Sequence, residues 1–134
     1  MAISVTNAGR IRVLLSIQQN TLVAVEAILA GSPVREDTAG KWTNANGSIA
    51  SEALAEGIAL RTVAANEPLT VLRKGVVDGF TFSTEAYGSE VFLGNTDALL
   101  QGTAGTVSKK VGNVIAGTSV LLGTANDKLL SVDM

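Results

Sequence analysis

The chain is written as short apolar runs closed by glycine, and that punctuation limits its fold more than any other feature. "EVFLG", "GNVIAG" and "TSVLLG" each pack a few β-branched or leucine residues between glycines, and "KLLSVDM" ends the chain in the same way. Runs this short are too brief for helices and are typical of strands between turns. Fourteen glycines against two prolines supply turn positions without breaking the strands. "IRVLLSIQ" places Ile11, Val13, Leu15 and Ile17 on one face at period two. "PLTVLRKGVVDGFTF" alternates Leu69, Val71 and Arg73 with Thr70, Leu72 and Lys74, and Gly75 and Gly79 interrupt it as bulge or turn positions. The expected fold is mainly β: a small β-barrel or β-sandwich with short connecting turns and at most one or two short helices.

Two segments compete for helix. "TLVAVEAILAG" has Leu22, Val25 and Leu29 near helical spacing, yet its opening Thr and Val and the Gly31-Ser32-Pro33 turn favour a strand. "SIASEALAEG" predicts one or two helical turns, with Ser48 as N-cap and Gly57 as stop. The expected core is Val34, Ile58, Leu60, Leu69, Val71, Val76, Val91, Leu93, Val111 and Val114.

An internal echo supports the β reading. "GSPVREDTAG" starts at Gly31 and "GSEVFLGNTDALL" starts at Gly88, 57 residues later. Each runs from Gly-Ser into a strand (Val34, Val91), a polar turn, and a short partner strand with a bulky apolar residue, Trp42 in one and Leu99-Leu100 in the other. "EGIAL" and "VGNVI" then follow in matching places. The pattern predicts one strand-turn-strand unit used twice.

The length of 134 residues fits one folding unit. Residues 1–20 read as an N-terminal strand or arm and residues 21–134 as a single β-rich domain. The arm reading has the polar "TNAGR" as a hinge between Val5 and Ile11; the strand reading buries the alternating face on the domain's own sheet.

The chemistry is narrow. There is no histidine and no cysteine, which removes the commonest general base, the usual metal ligands, thiolate nucleophiles and disulfides. A net charge of −2, scattered basic residues and few aromatics argue against a nucleic-acid partner. No apolar stretch reaches the length of a membrane span, and the N-terminus lacks the apolar core of a secretory signal. "DTAG" differs from an aspartic-protease loop by its alanine, and "TNANGS" lacks the first and last ligands of a calcium loop. The glycine pattern of a phosphate-binding loop is missing, and the Asn46-Gly47-Ser48 sequon reads as a turn. No catalytic residue, cofactor or metal is expected, and Glu36-Asp37 reads as an exposed acidic turn. In that turn Asp37 is placed to accept from the backbone two residues on, and Gly40 to take positive φ. Trp42, the single tryptophan, either packs on the sheet or stands partly exposed as an anchor for a partner.

Three longer stretches carry a resemblance: "AGSPVREDTAGKWT", "AEGIALRTVAANEPLTVLRKGVVDGF" and "AYGSEVFLGNTDALLQGTAGTVSKKVGNVIAGTSVLLG". In the order of their strands and turns, over about residues 27–134, they resemble the capsid decoration (cement) proteins of tailed bacteriophages. Asn66 stands where that family usually has a glycine turn. The resemblance implies a structural protein on the outer surface of a phage head, made in the host bacterial cytoplasm and carried on the virion. Its expected partner is the major capsid protein, and it is expected to form a homo-oligomer there, with a trimer favoured. Ile3, Val5, Ile11, Val13 and Trp42 are the candidate capsid or inter-subunit contacts. The alternative from a different class is a carbohydrate-binding β-module without catalytic activity.

Overall fold

A computed structural model describes residues 2–5, 11–82, 85–116 and 128–134. The "TSVLLG" run and the "TNAGR" stretch lie outside the described residues. The described chain is mainly β. Its strands are β1 (Ala2–Val5), β2 (Arg12–Val23), β3 (Pro33–Glu36), β4 (Trp42–Asn44), β5 (Gly57–Ala59), β6 (Pro68–Asp78), β7 (Phe80–Thr81), β8 (Glu90–Leu93), β9 (Leu100–Gln101), β10 (Lys110–Ala116) and β11 (Lys128–Asp133). Their ladders are antiparallel and follow the order β4-β3-β5-β6-β11-β10-β8-β9-β1-β7, with β2 on β6 outside this path. Because β7 follows β6 after Gly79 alone, the path curls into a half-barrel that returns to the continuation of β6.

The order is a palindrome about the β6–β11 seam. β3 pairs with β4 and β5, and β8 pairs with β9 and β10. The two units then meet where Val77 faces Leu130 and Val76 faces Ser131. Gly31 and Gly88 precede them with nearly the same positive φ, 88° and 85°. The sequence echo is therefore a structural repeat, because the same local turn chemistry yields the same hairpin twice.

Two apolar clusters hold the sheet. The larger fills the half-barrel and includes Ile58, Leu72, Val77, Phe80, Leu93 and Leu130; the smaller packs Ile28, Val34, Trp42, Val63, Leu69 and Val71 on the other side. Burying one such Leu or Ile side chain contributes roughly 1.5–3 kcal/mol. β6 serves both clusters, and the expected alternation is kept there: Leu69 and Val71 enter one core and Leu72 the other. Eight of the ten expected core residues are fully buried, and Leu60 and Val76 are only half-buried. Leu60 sits just past the end of β5, and Val76 points away from the half-barrel because its neighbour Val77 points in.

The helical expectations resolve simply. "TLVAVEAILAG" continues β2 to Val23 and then bends, with Ala24 bridged to Trp42 and Ile28 to Val63. "SIASEALAEG" forms a single 3-10 turn at Ala50–Glu52. Its N-cap is Ile49 rather than Ser48, and no side chain caps it. Ser48 is engaged elsewhere, its N–H donating to the Asn46 side-chain oxygen at 2.9 Å.

Candidate interaction surface

β2 is the strand that the fold leaves most open. Its twelve residues pair with β6 along one edge, and among the described residues no strand pairs with the other edge. The pairing is irregular: Val13 faces Val77, Leu15 faces Val76, Ser16 faces Gly75 and Gln18 faces Lys74. Leu14 and Ile17 are thus extra residues on β2 without a partner on β6. Each such bulge flips the alternation by one residue. Val13 points to the barrel core, but Leu15, two residues on, lies over Val76 on the outer face. Gly75 permits the tight fit, since a Cβ there would collide with the Leu15 carbonyl oxygen.

The consequence is a strip of exposed apolar side chains, with Leu14 at 40%, Leu15 at 52% and Ile17 at 63% exposure. A shallow hollow of about 150 Å³ borders it, lined by Leu15, Ile17, Val76, Val132 and the Lys74–Asp133 ion pair. Contiguous exposed apolar surface of this kind marks interaction sites.

The residues expected at this surface lie mostly beneath it. Ile3 is 3% exposed in the barrel core, since β1 is clamped between β9 and β7. Val5, Ile11 and Val13 are half-buried against the same core. Trp42 has no exposed surface, and its indole N–H is satisfied internally, so it is a core residue and not an exposed anchor. The strand phase is the reason. The apolar alternation points inward up to Val13, and only beyond the first bulge does the apolar side face out. The sequence carried one signal of this: adjacent Leu14 and Leu15 cannot both face the same core.

The "DTAG" turn is built as its residues imply. Asp37 Oδ1 accepts from the N–H of Ala39 at 2.8 Å and of Lys41 at 2.9 Å, and Gly40 has φ +77°. These backbone donors, that of Lys41 first, hold the Asp37 carboxyl below its ordinary value of 3.8. The turn's place in the fold is set by a second acid: Glu26 accepts from the Thr43 hydroxyl and from the Asn44 N–H, fastening residues 24–28 to β4.

A larger open groove of about 380 Å³ runs between Leu54, Ala55, Met134 and the charged Glu36, Glu56, Arg73 and Lys109. Arg73 pairs with Glu56 at 3.6 Å, so the groove's charges are largely offset. Among the described residues no group of three acidic, histidine or cysteine side chains is placed to hold a metal ion, and no helix is long and apolar enough to cross a membrane.

No family model, curated protein or solved structure matches the chain.

Proposed function

We propose that this protein is a structural decoration protein that binds the outer surface of a phage head and cements its shell, without catalytic activity. The observation that carries the reading is the exposed apolar strip of β2, Leu14, Leu15 and Ile17, close together on one strand. The strand-and-turn resemblance over residues 27–134, which lies outside the strip itself, supports the major capsid protein as the partner. A lattice binder needs a rigid domain and an adhesive face, and many weakly held copies gain retention through effective concentration. The bound form is a homo-oligomer, with a trimer favoured, made in the bacterial cytoplasm and carried on the virion.

The carbohydrate-binding alternative gains nothing from the aromatics. Trp42, Phe80 and Phe82 are buried, Phe92 is half-buried, and Tyr87 alone is exposed, at 50%. Sugar-binding faces usually stack several rings.

The test is co-sedimentation of the purified chain with empty heads of the phage that encodes it. Binding that is weakened by Ile17→Lys is expected. Heads that pellet without the protein would remove the proposal, and a specific signal on a glycan array would favour the alternative.

A further inference from the structure

We propose that Asn46 and Gly47 form a deamidation site that the folded chain holds shut, and that the reaction, once it occurs, keeps the opened turn from closing again. This chemistry does not depend on the capsid reading.

Asn46 is the one asparagine of the chain that is followed by glycine. Such a pair is labile in an open chain, because glycine has no side chain to hinder attack by its own nitrogen. The Gly47 nitrogen gives up its proton and attacks the side-chain carbonyl carbon of Asn46. A C–N bond forms, the Cγ–Nδ2 bond breaks, and Nδ2 leaves as ammonia with the proton. Water then opens the succinimide ring, on one side to aspartate and on the other to isoaspartate. No oxidant or reductant takes part.

The fold withholds the first step. Gly47 is buried, and its N–H donates to the Gly94 carbonyl oxygen at 2.7 Å. Water cannot take that proton until the bond opens, the same requirement that governs amide hydrogen exchange. The leaving amide is held as well: Asn46 Nδ2 donates to Asp97 Oδ1 at 3.1 Å. Asn46 Oδ1 accepts from the Ser48 N–H at 2.9 Å and from the Ser48 hydroxyl at 2.7 Å. The Gly47 carbonyl oxygen accepts from the Val107 N–H at 2.8 Å. A larger residue cannot replace the glycine, since a Cβ there would stand 2.8 Å from the Gly94 carbonyl oxygen and 2.9 Å from that of Leu93. The close packing that demands glycine thus creates the labile pair and also shields it.

These contacts join the two echoed units. Residues 46–48 follow β4, and residues 94–97 lie between β8 and β9. Deamidation therefore follows separation of the two turns, and its products oppose their return. Isoaspartate adds one carbon to the main chain between the residue 46 nitrogen, which donates to the Glu52 carbonyl oxygen at 2.9 Å, and the Gly47 nitrogen. The two hydrogen bonds then no longer fit their present spacing. Aspartate loses the Nδ2 donor and sets a second carboxylate against Asp97.

The full chain is incubated at mildly alkaline pH, folded and in guanidinium chloride, and residue 46 is followed by mass spectrometry as NH is exchanged for O. Conversion is expected to be on the order of 100-fold slower in the folded chain. Returned to native conditions, converted chains should melt below chains unfolded only briefly. Asn46→Gln, whose longer side chain closes a ring far more slowly, is compared with itself before and after the same incubation and should lose nothing. A folded chain that converts as fast as the denatured one overturns the proposal. So does a denatured chain that leaves residue 46 intact, or converted chains that melt like fresh ones.

Discussion

The indole N–H of Trp42 donates to the carbonyl oxygen of Leu69 at 3.1 Å, and neither residue has any exposed surface. The bond ties the first residue of β4 to β6 across β3 and β5, so one side chain fixes the spacing of four strands. Trp42→Phe keeps most of the volume but loses this hydrogen bond, and should cost about 0.5–1.5 kcal/mol in urea unfolding. Trp42→Ala also leaves a cavity and should cost about 3–5 kcal/mol. Equal losses for both variants would show that the hydrogen bond contributes little beyond the ring.

Ala98 takes φ +59°, a left-handed conformation that disfavours a side chain. Its N–H donates to the Ala45 carbonyl oxygen at 2.9 Å, which pins the turn against the segment after β4. Relieving the strain outweighs the added freedom of the unfolded chain, so Ala98→Gly should stabilise by about 0.5–1 kcal/mol. Asn66, at φ +70°, is a residue that tolerates this region, and Asn66→Val should lower the denaturation midpoint.

Asp37 makes stability depend on acid. Its folded carboxyl titrates below 3.8, held there first by the Lys41 N–H. The unfolded chain therefore takes up this proton at higher pH than the folded chain does. The contribution is complete above about pH 4 and fades as pH falls through the lower folded value. Asp37→Asn should melt below wild type at pH 6, and the gap should close toward pH 2. A gap that stays constant with pH would exclude the carboxylate as its source.

β1 is paired on both edges, to β9 at Ile3–Leu100 and to β7 at Val5–Phe80. Deleting residues 1–10 removes these pairings and uncovers the core beneath Ile3. The deletion should lower the melting temperature in solution, and Ile3→Ala alone should cost about 2–5 kcal/mol. A deletion with unchanged melting that fails to bind heads would instead make the segment an adhesive arm.

Turns and hairpins were legible in the sequence because their causes are local. Asp37 and Gly40 carry their own turn, Gly31 and Gly88 open matching hairpins, and Asn66 adopts positive φ where a glycine is usual. The spacing of 57 residues between the echoed segments anticipated a strand-turn-strand unit used twice, though not the order in which the strands pair. Burial was less legible wherever it depended on a partner strand. Ile11, Val13, Leu15 and Ile17 form one face on paper, but pairing with β6 inserts bulges at Leu14 and Ile17 and turns Leu15 outward. Trp42 sits in a polar turn sequence, yet β6 and the segment fastened by Glu26 close over it. Backbone conformation follows from neighbours along the chain; which face is wet follows from strands brought together from far apart, and only the tertiary structure decides that.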